Sequence, residues 1–138
     1  MRTVLLAATA AIATGGAWWL WGQSDAMPAE EGEALVDVTL PATLSSEAKA
    51  GQQAFAANCA SCHGTDAEGR AGTAPPLIHK IYEPGHHSDT AFVMAARSGV
   101  RAHHWTFGDM APVPDVTDAE LAHIIRFVRE VQVANSIM

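Results

Sequence analysis

Two cysteines stand three positions apart in this chain and a histidine follows at once: Cys59-Ala60-Ser61-Cys62-His63. They are the only 2 cysteines in 138 residues, so a disulfide framework is excluded and the pair is read as chemistry. A zinc centre would need a second ligand pair such as C-x-x-C or H-x-x-x-H, and no further cysteine exists. A thioredoxin-like dithiol belongs in a βαβ pattern, and no run of alternating residues argues for a sheet. The remaining chemistry is covalent haem attachment. Two thiols on one helical turn reach the vinyl groups along one porphyrin edge, and the next residue, His63, is fixed by that turn under the iron.

Iron held in this way needs a group on its other face. Of the 5 methionines, Met1 and Met27 lie in or beside the leader and Met138 is terminal. Met94 falls inside a helical stretch and reads as core packing. Met110 alone lies in a loop able to fold over a haem face, with Pro112 and Pro114 restricting the backbone behind it, so it is the distal ligand by elimination. A thioether opposite an imidazole favours ferrous iron relative to two imidazoles, hence a fairly high potential. Histidine is in surplus: besides His63 and the helical His123, His79, His86, His87, His103 and His104 all lie between the two iron ligands. In loops, one from each adjacent pair can converge on copper or zinc. The alternatives are exposed polar residues, donors to haem propionates, or His103 or His104 in place of Met110.

The elements that must position these groups are helical. Ser45 or Ser46 caps a helix through Gly51 and Phe55 to about Ala57, directly abutting the cysteine motif. Ser88 caps a second from Asp89 to about Arg97, stopped by Gly99, and one turn falls near Leu77 to Tyr82. Thr117-x-x-Glu120 is a capping box opening a last helix, in which Leu121, Ile124, Ile125, Val128 and Val131 recur at helical spacing. Ahead of this domain, Val4 to Gly22 is uncharged and apolar, with Arg2 before it and Trp18, Trp19 and Trp21 at its far end. Residues 1–22 are therefore a signal peptide, with small residues at Ser24-Asp25-Ala26 or Gly15-Gly16-Ala17 for cleavage, or an N-terminal membrane anchor. Residues 23–44 read as a flexible acidic linker, and residues 45–138 as the folded domain. The net charge of −7 has the wrong sign for nucleic acid. It favours redox partners with basic docking faces, although much of the acid lies at Glu30, Glu31, Glu33 and Asp37.

From about Glu47 to Ala134 the chain resembles class I monohaem cytochromes c of the bacterial periplasmic type. The matching pieces are Gly51-x-x-x-Phe55, Asn58 to Gly64, Ala74-Pro75-Pro76-Leu77, Met110 to Pro114, and the last helix with Ile125-Arg126-Phe127-Val128-Arg129. The family often has proline directly after the methionine, where this chain has Ala111. The resemblance implies an all-α cytochrome c fold, three main helices around one covalently attached haem c, with the first and last helices crossing where Gly51 meets the Phe127 region. It implies that the carbonyl of Pro75 accepts from the imidazole of His63 and that Leu77 packs on the haem edge. Trp105 and Tyr82 are then either ordinary core aromatics or donors to the propionates. The implied role is a one-electron carrier, not an enzyme, on the periplasmic side of the bacterial inner membrane, anchored or soluble after cleavage. Its rivals are a haem subunit of a larger oxidoreductase and a haem or metal sensor using the histidine-rich loops. Denaturing electrophoresis followed by haem staining should leave colour on the band when the chain is made in cells competent in cytochrome c maturation. A colourless band would exclude covalent attachment at Cys59 and Cys62.

Overall fold

A computed structural model describes residues 31–138, so the expected leader or anchor at residues 1–22 lies outside them. The elements are α1 (Ser46–Asn58), α2 (Ala60–His63), a 3-10 turn (Lys80–Tyr82), α3 (Asp89–Ser98) and α4 (Asp118–Ala134). The described residues contain no β-strand, only isolated bridges such as Val100 with Met110, and none of their helices is long and apolar enough to cross a membrane.

Local chemistry accounts for most helix ends. Ser45 is the cap of α1, its hydroxyl accepting from Ala48 N at 3.1 Å. Thr117 and Glu120 form the reciprocal box at the start of α4, at 3.2 and 2.9 Å. Ser88 occupies the cap position of α3 but makes no side-chain cap bond. That helix start is tied instead through Asp89, whose carboxylate accepts from Arg129 Nε of α4 at 2.8 Å.

The core lies between α1 and α4. Their closest approach is at Gly51, whose missing Cβ would collide with the backbone of His123 and Ile124. The crossing is thus one turn earlier along α4 than the Phe127 region that the resemblance implied. Phe127 meets Phe55 instead, with ring centroids 5.6 Å apart at 54°, and both residues are fully buried. Leu121, Ile124, Ile125, Val128 and Val131 supply the rest of the buried stripe of α4.

Two expectations are corrected. Met94 is 55% exposed rather than packed in the core. It is two residues, about 200° of helix, from Ala96, which is the buried position of α3. Nor does the described part of the supposed linker hang free. Gly32 N donates to Ala71 O and Ala71 N to Glu33 O, at 2.9 and 2.8 Å. Thr39 and Asn135 bond reciprocally, and Val38 and Leu44 pack on the core. Single apolar side chains and backbone bonds attach this segment, so it carries no period for a pattern to reveal.

Truncating Phe127 to alanine should lower unfolding free energy by about 3–5 kcal/mol, the usual cost of an aromatic cavity. Gly51→Ala should also destabilise, despite alanine's better helix propensity, because the helices must separate to admit the methyl. Denaturant unfolding of the haem-loaded protein measures both.

Candidate haem site

α1 runs into the cysteine motif without a spare residue, since Cys59 is at once its C-cap and the residue before α2. The turn is closed by His63 N donating to Cys59 O at 3.0 Å, which sets Cys59, Cys62 and His63 on one short rigid element. Cys59 is half-buried and Cys62 exposed. Burial, aided by the neighbouring Cys62, pushes the Cys59 thiol up to about 11. His63 is 8% exposed, and its Nδ1 donates to Pro75 O at 2.9 Å, the contact the resemblance implied. That bond leaves Nε2 as the free, lone-pair nitrogen, the tautomer an iron ligand needs. Burial holds the imidazole below its ordinary range, against the opposing pull of the Pro75 carbonyl, and so keeps it neutral.

The loop between His63 and Leu77 is folded so that Pro75 reaches this place. Gly69 N donates to His63 O at 2.7 Å, and the absent Gly69 side chain leaves room for the backbone of Pro75 and Pro76 to cross it. Ala67, fully buried at φ 63°, accepts from Leu77 N at 2.8 Å. Leu77 is partly buried against the core.

Met110 is half-buried and fixed by its backbone. It exchanges two hydrogen bonds with Val100, at 3.0 and 2.9 Å, immediately after the end of α3. Gly99 makes the approach feasible: its φ is +73°, and a Cβ there would meet Met110 O and Pro112. Val113 N then donates to Ala96 O at 2.7 Å, so the Met110–Val113 segment lies along the end of α3. Between Val100 and Met110 the chain loops out through Trp105, whose buried indole N–H lies toward the Tyr82 hydroxyl but finds no acceptor in good hydrogen-bond geometry. Arg70 Nε is also buried without an acceptor. Tyr82 is half-buried, and desolvation pushes its hydroxyl up against the opposing effect of the Trp105 N–H. Buried donors without acceptors are costly, about 1–3 kcal/mol each. The carboxylates of a haem are acceptors of the kind they lack, so this donor set fits that group.

Of the surplus histidines, the structure separates His79 and His123 from the rest. His79 Nδ1 accepts from Ile81 N at 3.2 Å and caps the 3-10 turn. His86, His87, His103 and His104 gather on the surface, with ring centroids 4.3 Å apart for His103 and His104 and 4.7 Å for His86 and His87. His104 titrates below the ordinary imidazole range, through desolvation first and then through repulsion from His103, His87 and His86.

Two residues of α4 position the site and carry no signal of it in the sequence. Arg129 donates to Tyr82 O, His87 O and Asp89, at 2.7, 2.6 and 2.8 Å, and lies 4.9 Å from the centre of the Phe92 ring. Gln132, fully buried, donates to Leu77 O and Tyr82 O, both at 3.0 Å, and accepts from Arg129 at 2.7 Å. Position 132 lies four residues after Val128 on the apolar stripe of α4, a spacing that marks Gln132 as buried but says nothing of the site.

A family model described as Cytochrome c matches residues 48–132. Among curated proteins, the chain is similar to a cbb3-type cytochrome c oxidase subunit CcoP of Rhodobacter capsulatus, 34% identical over 84 residues. A second CcoP sequence from the same species is 35% identical over 85 residues. Each match covers 59% of this chain and 28% of the relative, so the chain spans little more than a quarter of the length of these relatives. No solved structure is a significant match.

Gly99→Ala should open the bridge that holds Met110. A non-glycine residue at φ 73° and ψ 179° alone costs about 1–3 kcal/mol, and the methyl also meets Met110 O. Hydrogen exchange at the Val100 and Met110 amides should accelerate more than exchange within α1.

Proposed function

The chain belongs to the cytochrome c family and binds one haem c covalently, and from that premise we propose that it is a one-electron carrier making and breaking no substrate bond. When bound, the haem supplies a ferric/ferrous couple. Cys59 and Cys62 hold it through thioethers, and His63 offers Nε2 to the iron because Nδ1 is engaged by Pro75. Met110 would give the iron its thioether, and Leu77 would pack against the haem. Trp105 Nε1, Arg70 Nε and the Tyr82 hydroxyl donate to the propionates, where low dielectric makes such bonds strong. With His63 and Met110 both serving as iron ligands, the protein would leave no coordination site for oxygen or peroxide. The observation that carries the reading is the buried His63 ring bonded through Nδ1 to Pro75 at 2.9 Å, which leaves one nitrogen free for a metal.

The partners in this reading are redox proteins met in brief encounters steered by charge. Residues 1–22 export the domain to the periplasmic side of the inner membrane. The likeness to CcoP supports a second form of the same role, in which the domain passes electrons inside a larger oxidoreductase.

Ferric protein with His/Met ligation should show a weak far-red band from sulfur-to-iron charge transfer, and the ferrous form should not bind carbon monoxide readily. Met110→His should abolish the band and lower the potential, because imidazole favours ferric iron, while the exposed Met94→Leu should leave both nearly unchanged. Ready binding of carbon monoxide, or an iron coordination spectrum that Met110→Leu leaves unchanged while His103→Ala or His104→Ala alters it, would overturn the carrier reading with its Met110 ligand.

A further inference from the structure

The histidine cluster joins two loops that the backbone does not otherwise connect at that point. His86 and His87 sit on one turn, both N–H groups donating to Glu83 O, at 3.0 and 2.8 Å. His104 comes from the loop between Val100 and Met110. The nitrogens that His86, His87 and His104 can offer all lie within 4.8 Å of one another. His86 Nε2 faces His104 Nε2 at 3.3 Å. Two nitrogens bound to one tetrahedral ion at the usual zinc–imidazole distance are about 3.3 Å apart, whereas a square-planar pair would be nearer about 2.9 Å. His87 is prepared in a further way. Its Nδ1 donates to Ile81 O at 2.6 Å, which fixes the tautomer and leaves Nε2 free, as the outer partner of a metal-bound imidazole does. His86 and His104 are exposed and His87 half-buried, so a hydrated ion has a way in and ordinary side-chain rotation can gather the three nitrogens.

We propose that His86, His87 and His104 form a binding site for a divalent metal ion of the zinc class, with water completing a tetrahedral shell. The ion exchanges three of its waters for three neutral imidazoles, and no electron is transferred. Once bound, it cross-links the Glu83–Ser88 turn to the loop that ends at Met110. The site stands on its own donors and does not rest on the iron ligands assigned above.

The test uses the full chain carrying its haem, with zinc ions alone as the probe. Calorimetric titration should show one ion per chain, and zinc-edge X-ray absorption should report about three imidazole ligands. His86→Ala and His104→Ala, from opposite loops and both exposed, should each weaken binding at least about tenfold, while His123→Ala should not. Zinc should also slow hydrogen exchange of the amides in both loops in the unaltered protein. No saturable zinc binding, or binding that neither variant weakens, would overturn the proposal. Because these readouts follow zinc and amide protons rather than iron, failure of the carrier reading would leave them interpretable.

Discussion

The close crossing of α1 and α4 at Gly51 is the constraint on which the rest of the molecule depends. Packed helices ordinarily lie about 8–10 Å apart, and a side chain at this point would meet the backbone of His123 and Ile124. Each helix then delivers something from the crossing. α1 continues one turn past Phe55 and becomes the cysteine motif, so its direction is the direction of His63. Beyond the same crossing, α4 presents Phe127 to Phe55 and then Arg129 and Gln132 to the opposite wall. A shift of the crossing would move the proximal ligand and the loops that face it in different senses.

Against this frame the polar contacts act by orientation more than by stability. The bond from His63 to Pro75 is worth about 1 kcal/mol net, a small share of a total of about 5–15 kcal/mol. Its effect is to decide which ring nitrogen is free. Gln132 obeys the same logic at greater stakes, since a buried amide left without partners would cost about 1–3 kcal/mol. Its donor and acceptor are both satisfied, and in being satisfied they hold the carbonyls of Leu77 and Tyr82 against α4.

Features written within a few residues are legible in the sequence. The cysteine motif, the Ser45 cap, the Thr117–Glu120 box and the stripe of α4 each depend on spacings of four residues or fewer, which fix local geometry. What was illegible depends on distant partners. Arg129 is one of several charges on α4 until Asp89, Tyr82 and His87 are seen to surround it, and Arg70 is unremarked until its Nε is found buried without an acceptor. The segment from Glu31 to Leu44 shows the same limit, since its attachments to Ala71 and Asn135 leave no period behind. Met94 errs the other way: an apolar residue in a short helix need not face inward, because a helix of ten residues has only one narrow buried side.

The loop from Val100 to Met110 combines both kinds of contact, because it carries the half-buried Trp105, with its buried indole N–H, on its inner side and His103 and His104 at its surface. Its own bonds are local. Ala102 N donates to Asp109 at 2.8 Å, His103 Nδ1 to Arg101 O at 2.9 Å, and Trp105 stacks on Phe107 with centroids 5.9 Å apart. Beyond the loop its tip is held by side chains alone, His104 Nε2 against His86 Nε2 at 3.3 Å and Trp105 edge-on to His79 at 5.2 Å. Its base is different: the two Val100–Met110 bonds are backed by the bond from Val113 to Ala96, so three backbone hydrogen bonds lie between any motion of the tip and α3. A metal gathering His104 toward His86 would therefore work against a fixed base, stiffening the loop rather than displacing Met110. The amide protection of the loop should respond to zinc more strongly than the iron's ligand field does.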